Sequence, residues 1–197
     1  MPHALFEPKI LGELPLWAAV LVASRAARRF ILALPGGAAG ETTGALLGAC
    51  DAADACAAAG QRSAAAAAVI QRATTKKGSA AVLAACEMVR WVGDAVHAAD
   101  DALDFGAAES ACYGSVRAAL DVANARARLV GMTAIQSAIL VASDVDQLLF
   151  VCRDLRVGTY NGLPRGVFER LVPVRAPEVH TAELDDPMRD DPTGGAR

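Results

Sequence analysis

The chain has 197 residues, enough for one domain with its own core, and 19 basic and 22 acidic residues give it a formal net charge of −3. That balance argues against general nucleic-acid binding, which needs a clustered basic surface. Hydrophobic residues make up 54% of the chain and aromatic residues only 5%, and much of the apolar content is alanine, which favours helices more than membrane insertion.

Glycine and proline divide the chain into six stretches with the apolar spacing of helices. The predicted helices cover residues 15–34, 41–60, 62–75, 79–104, 107–130 and 133–156. Pro15 suits the first turn of a helix, and Ser79 can cap the fourth. Because strand signals are nearly absent before Val157, the predicted fold class is all-α: a compact, alanine-rich bundle of about six helices.

The buried faces of two helices can be predicted from spacings of three and four residues. In the fourth helix the predicted face carries Val82, Cys86, Val89, Val92 and Val96. In the sixth it carries Ile135, Ile139, Ala142, Val145, Leu149 and Cys152. Alanine buries little apolar area, so the main contacts are expected at the few large side chains, which are Trp17, Phe30, Trp91, Leu103, Phe105, Leu140 and Leu149.

After Val157 the composition changes. The stretch GTYNGLPRGVFERLVPVRAP is rich in glycine and proline, which predicts an irregular C-terminal arm with one helical turn, packed on the bundle through Phe168, Leu171 and Val174. The final stretch, ELDDPMRDDPTGGAR, has almost no apolar content. We therefore predict one domain over residues 1–176 and a disordered acidic tail over residues 177–197.

The sequence predicts a cytoplasmic protein with no membrane span. Its start, MPHALFEPKI, lacks the features of an export signal. The apolar stretch over residues 14–34 contains three arginines, and the one over residues 129–143 is shorter than the ~20 residues that a span requires. The five cysteines are odd in number and lack CxxC spacing, which is typical of reduced core thiols.

The segment HAADDALDF gathers acidic side chains near the end of the fourth helix. His97, Asp101 and Asp104 share one helix face and Asp100 flanks it, so the set could hold Mg²⁺. The pattern DDALD, residues 100–104, resembles the aspartate-rich motif of helical isoprenoid diphosphate synthases, but a second acidic motif on a facing helix is not evident. The plainer interpretation is a solvated helix face. A magnesium-dependent enzyme acting on a phosphorylated or diphosphate substrate is the alternative hypothesis.

A basic stripe lies on the first predicted helix, where Arg25, Arg28 and Arg29 follow i, i+3, i+4 spacing. Such a stripe is expected to be the solvated face of its helix, and it could hold a phosphate or an acidic partner. The sequence has no glycine-rich phosphate loop, no GxSxG and no HExxH motif. No residue is therefore assigned a catalytic role.

Three stretches together carry a resemblance: LPLWAAVLVASRAARRF, the alanine-rich residues 57–127, and DVDQLLFVCRDLRVGTYNGLP. Their order resembles that of the alanine-rich, all-helical immunity proteins of bacterial conflict systems. The resemblance implies a binding protein without catalytic residues. The hypothesis that we favour is a protein-interaction module, immunity-like or an accessory of a bacterial defence or toxin system, that occludes a protein partner and needs no cofactor; a homo-oligomer is left open. The residues expected at such an interface are Arg25, Arg28, Arg29, Tyr160, Arg165 and Phe168.

Overall fold

The structure, a computed structural model, describes residues 8–34, 40–106 and 108–175, and within these ranges it contains helices and no strand. The α-helices are α1 (Pro8–Gly12), α2 (Leu16–Leu32), α3 (Glu41–Ala59), α4 (Ala64–Ala73), α5 (Ala80–Phe105), α6 (Ala108–Arg126), α7 (Ala134–Asp154) and α8 (Arg165–Arg170). A 3₁₀ turn, Ala127–Val130, follows α6. The all-α prediction is confirmed. The predicted acidic tail, residues 177–197, lies outside the described residues.

Local capping chemistry explains several helix ends. The Ser63 and Ser79 hydroxyls accept backbone N–H bonds at the starts of α4 and α5. At the start of α7, Thr133 and Gln136 form a reciprocal capping box. Helix α3 ends at Gly60, whose φ of 68° is the left-handed conformation that glycine adopts at little cost. Residues of this kind can be recognised in a sequence, so the predicted boundaries match the observed ones closely.

Helix α2 is the centre of the bundle. Of its 17 residues 14 are buried, and it packs against α3, α5, α6 and α7. Alanines along α2 let neighbouring helices approach closely, while Trp17 and Phe30 fill the larger spaces, as predicted. The predicted face of α5 is also confirmed at Cys86, Val89, Val92 and Val96, which are all buried, whereas Val82 is only half-buried.

Two of the predictions about large apolar side chains are wrong. Leu103 and Phe105, expected at main contacts, are 41% and 76% exposed. Both lie in the last turn of α5, the longest helix, where the chain reverses at Gly106. A hydrophobic side chain near a helix end can satisfy the periodicity of a buried face and still extend beyond the neighbouring helices.

The predicted face of α7 is only partly confirmed: Val145 and Cys152 are buried, and Ala142 and Leu149 pack against the core. Ile135 and Ile139 are 62% and 58% exposed. The side that packs on the bundle carries Ser137, Ala138, Val141, Asp144, Val145, Leu148, Val151 and Cys152. At 100° per residue, the buried side is rotated by roughly 90° from the predicted one. On this buried side Asp144 meets two arginines of α2.

Helix α7 is, among the described residues, the one helix long and apolar enough to cross a membrane by length and composition. The apolar run in the sequence stops before Asp144, but the helix that contains it continues to Asp154. In its most apolar window 44% of the residues are buried within the protein. Because core helices pass the same test, α7 fits a packed helix at the edge of the bundle. The absence of a membrane span stays a prediction.

The C-terminal arm is fastened to the bundle by backbone hydrogen bonds and buried side chains. The Leu16 N–H donates to Thr159 O at 2.8 Å, and the Leu163 N–H donates to Ala57 O at 2.8 Å. Three arm side chains are buried: Leu163, Val167 and Leu171. The predicted helical turn is present as α8. Phe168 packs against the core and is half-buried, so the arm is part of the domain.

All five cysteines are buried and free. Burial raises the pKa of the Cys50 and Cys112 thiols from 9.0 to about 12, and that of Cys152 to about 11. Because these folded-state pKa values lie above the ordinary value, thiol burial stabilises the fold fully below pH 9, and this contribution is lost as the pH rises toward 12.

We expect no thiol of the native protein to react rapidly with a disulfide-exchange reagent at pH 7.5, because the thiolate is the nucleophile and none is accessible. In denaturant all five should react. The time course of colour development, recorded with and without guanidinium, gives the number of reactive thiols in the denatured and in the native protein. A thiol that reacts within seconds in the native protein would show that the packing around it is wrong.

Candidate functional site

The buried ion cluster consists of Arg25 and Arg29 from α2 and Asp144 from α7. Arg25 Nε lies 2.8 Å from Asp144 Oδ1, Arg29 Nη2 lies 2.6 Å from the same oxygen, and Arg29 Nη1 contacts Asp144 Oδ2. The Asp144 side chain is 2% exposed, and those of Arg25 and Arg29 are 9% and 11% exposed. The expectation of a solvated basic stripe is therefore wrong for both arginines.

The cluster also holds the arm. Arg25 Nη2 donates to the Val172 carbonyl oxygen at 2.8 Å, which brings the end of the arm to the same place as α7. Gln147 of α7 accepts from the Val172 N–H at 3.4 Å. Since buried charges are stable only when they are paired and hydrogen-bonded, one carboxylate orients α2, α7 and the arm together.

Arg28 lies in a second cluster, against α3. Its Nη1 and Nη2 lie 2.9 Å and 2.7 Å from carboxylate oxygens of Asp51 and Asp54, and the Ser24 hydroxyl donates to Asp54 at 2.6 Å. Burial raises the pKa of Asp54, and the hydrogen bond from Ser24 and the charge of Arg28 oppose that shift. The three arginines of the predicted stripe are thus divided between a buried cluster and a partly exposed one, and they do not form one external surface.

Above the first cluster an open groove of about 780 Å³ runs between α7 and the arm. Arg25, Arg29 and Asp144 form its floor. Its apolar walls comprise Leu140, Phe150, Val172, Pro173 and Val174. Arg175 and Asp146 lie at its edge. The groove therefore combines a charged floor with apolar walls, a combination that suits amphipathic ligands.

Large apolar side chains of α7 and the arm point into solvent, and two of them, Phe150 and Val172, also line the groove. We call Ile135, Ile139, Phe150 and Val172 the α7 face; the exposed fraction of each is between 58% and 67%. The three on α7 lie along one side of the helix, and Val172 lies on the arm. Ile135 and Ile139 are one turn apart, whereas Phe150 lies about 16 Å further along α7, beyond Ser143 and Asp146, which are exposed on the same side of the helix. Large exposed apolar side chains that lie near one another are a feature of interaction sites.

The acidic residues near position 101 do not assemble into the predicted metal site. His97 Nδ1 lies 3.0 Å from Asp101 Oδ2, and both side chains are about half exposed. Asp100 accepts the Arg62 backbone N–H at 2.8 Å, and Asp104 is exposed. Across the described ranges there is no group of three or more histidine, cysteine, aspartate or glutamate residues that could hold a metal ion. The arrangement matches the plainer interpretation, a solvated helix face.

A shallower groove between α4 and α5 also fails to collect these carboxylates. It encloses about 380 Å³ and is lined by Arg62, Arg90 and His97 among others, but its lining does not include Asp100, Asp101 or Asp104. The magnesium alternative needs a concave site that those three side chains face. The described residues do not provide one.

The predicted contact residues of the arm have different surroundings. Tyr160 is 44% exposed, and its hydroxyl donates to Glu109 Oε2 at 3.3 Å. Arg165 is almost fully exposed and pairs with Glu169 one turn along α8. Phe168 packs against the core. Tyr160 and Arg165 are thus available at the surface, whereas Phe168 chiefly holds the arm in place.

Sequence reasoning missed the residues that form the groove and the α7 face. In the sequence Asp144 follows an apolar run and, with Asp146, is a distant candidate for a second acidic motif, while the apolar spacing predicts that Ile135 and Ile139 are buried. The available signal was one aspartate in an apolar helix together with arginines four residues apart in another apolar helix, since each needs a buried partner.

Comparison of the chain with protein-family models, curated proteins and solved structures finds no match to any of them.

Proposed function

We propose that this protein is a helical protein-interaction module that binds a protein partner through the α7 face. The observation that carries the proposal is the exposure of Ile135, Ile139, Phe150 and Val172 on a helix whose opposite side is fixed by a buried ion cluster. A rigid apolar helix face needs little ordering when it binds, so little conformational entropy opposes association.

The surroundings of the α7 face support this proposal. Charged residues lie close to these apolar side chains: Asp146 and Arg153 line a surface depression with Phe150, and Arg175 lines the groove with Phe150 and Val172. Protein interfaces commonly combine apolar and polar residues in this way. A partner helix with apolar side chains at i, i+4 and i+7 spacing would match the ridge formed by Ile135 and Ile139. An immunity-like role in the cytoplasm of a bacterium, acting by occlusion of a toxin or defence protein, is a specific form of this proposal.

A function as a magnesium-dependent enzyme has less support, because the carboxylates that it requires contact separate partners and do not face one common site. Asp100 is engaged with the backbone of Arg62, and Asp101 pairs with His97. By contrast, nothing within the described residues covers the α7 face. The balance of these observations favours binding over catalysis.

Affinity capture from the native host with matched surface variants tests the proposal. Ile139→Glu places a charge in the α7 face, and Leu83→Glu makes the same change on α5, where Leu83 is 53% exposed. We expect a protein retained by the wild type and by Leu83→Glu to be lost with Ile139→Glu, by at least about tenfold, since burying an unpaired charge is costly. Melting curves check that both variants fold. Equal retention by all three baits, or retention by none, would contradict the proposal.

A further inference from the structure

The groove between α7 and the arm has a chemistry that protein binding through the α7 face does not require. We propose that it is a binding site for a small amphipathic carboxylate, with the carboxylate on the floor against Arg25 and Arg29 and an apolar chain along the walls. This inference goes beyond the proposed function and does not depend on it.

The first observation is the charge of the floor. Two guanidinium groups share one carboxylate, Asp144, so a surplus of one positive charge is held where both arginine side chains are at most 11% exposed. A buried charge without a counterion is costly. At the groove edge Arg175 adds one positive charge and Asp146 one negative charge, so the surplus persists over the whole lining. A bound monoanion would neutralise it.

The second observation is the set of hydrogen-bond donors that remain. Each guanidinium carries five N–H donors. Within the described residues, Arg25 uses Nε and Nη2, and Arg29 uses Nη1 and Nη2. The Nη1 group of Arg25 and the Nε group of Arg29 make no hydrogen bond to another described residue, although both arginines line the groove. Planar guanidinium groups bind carboxylates with good geometry.

The third observation is the character of the walls. Leu140, Phe150, Val172, Pro173 and Val174 offer apolar surface on both sides of the floor. A volume of about 780 Å³ lies within the range of small-molecule sites, roughly 300–1,000 Å³. A free inorganic anion would leave these walls in contact with water. A carboxylate carrying a chain of several carbons would cover them and would match the single surplus charge better than a phosphate dianion.

Four probes separate the contributions that the ligand's charge and its carbon chain make to binding: octanoate, octanol, acetate and inorganic phosphate. We expect octanoate to raise the melting midpoint of the wild-type protein and to shift the side-chain Nε–Hε resonance of Arg29 in ¹H–¹⁵N spectra. Acetate should bind at least about tenfold more weakly, because the gain of ~0.8 kcal/mol per buried CH₂ is lost. Octanol and phosphate should leave the Arg29 resonance unchanged.

Two variants and one control assign the site. Arg29→Gln removes the surplus charge but leaves the Arg25–Asp144 pair, so we expect octanoate affinity to fall about tenfold or more. Arg28→Gln makes the same change at the next residue, in the other cluster, and should bind octanoate as the wild type does. Phe150→Ala, at a side chain that is 67% exposed, should weaken octanoate and leave acetate unchanged.

Four results would each overturn the inference: no octanoate binding to the wild type, octanol or phosphate binding as well as octanoate, equal losses in Arg28→Gln and Arg29→Gln, or no effect of Phe150→Ala on octanoate. The outcome is separable from that of the capture experiment. Octanoate can bind without any protein partner, and a partner can be captured by a protein whose groove takes no carboxylate.

Discussion

Replacing Asp144 by asparagine is expected to lower the free energy of unfolding by about 3–5 kcal/mol, the usual cost of removing one partner from a buried ion pair. Both Arg25 and Arg29 would then be buried without a counterion, and the contact of Arg25 with the arm would be strained by their repulsion. Urea denaturation followed by circular dichroism measures the loss.

Asp146→Asn is the matched control, two residues further along α7. Asp146 is exposed, so the same substitution there should change stability by less than about 0.5 kcal/mol. Adding Arg29→Gln to Asp144→Asn should restore part of the lost stability, because one uncompensated charge is removed. If Asp144→Asn lowers the free energy of unfolding by less than about 1 kcal/mol, the Asp144 carboxylate does not compensate the charges of the buried arginines.

Gly162→Ala is expected to destabilise the protein by about 3 kcal/mol, at the upper end of the cost of overpacking. A Cβ at position 162 would lie 2.6 Å from the Gly60 nitrogen and 2.7 Å from the Ala58 carbonyl oxygen. Both are backbone atoms and cannot rotate away. Relief would require the arm to separate from the end of α3 and would break the hydrogen bond from the Leu163 N–H to Ala57 O.

Gly114→Ala is the control for that substitution. Gly114 lies within α6, and a Cβ there would have no neighbour within 4 Å. Alanine should therefore stabilise the helix by roughly 0.5–1 kcal/mol. Thermal melts of the two variants should shift in opposite directions. If Gly162→Ala melts like the wild type, the close approach of the arm to α3 is wrong.

Helix positions could be predicted from this sequence because their signals are local. Ser79 caps α5, Gly60 ends α3, and the Thr133 and Gln136 pair begins α7, each through contacts within a few residues. Two short helices were harder to predict. Helix α1 was not foreseen, and α8 was expected only as a turn, because helices of five or six residues carry little periodicity.

Which face of a helix is buried could not always be predicted, because the answer depends on distant residues. On the buried side of α7, contacts join Asp144 to arginines 115 and 119 residues away. Spacing of apolar residues alone favoured burial of Ile135 and Ile139. In the observed orientation the buried carboxylate of Asp144 is paired with both arginines, whereas a buried charge left without a partner would be costly, and the α7 face remains in solvent.

The candidate site was predictable only in part, for the same reason. Arg25 and Arg29 were identified as residues of interest, but their role was assigned to an external stripe. Two residues of the α7 face, Ile135 and Ile139, are ones that the apolar spacing predicts to be buried, and the other two, Phe150 and Val172, carry no sequence prediction. The acidic segment near Asp101 has the more conspicuous sequence pattern, but its side chains do not form one site. Carboxylates near the end of a helix can each find a separate partner.

The proposed function places the partner on the α7 face. Photo-cross-linking in the native host tests it most directly, with a benzophenone side chain at position 139 and, as the control, at position 83. We expect protein adducts from position 139 and none from position 83; an adduct of twice the chain's mass would identify a second copy as the partner. Adducts from position 83 alone, or from neither position, would contradict the proposal.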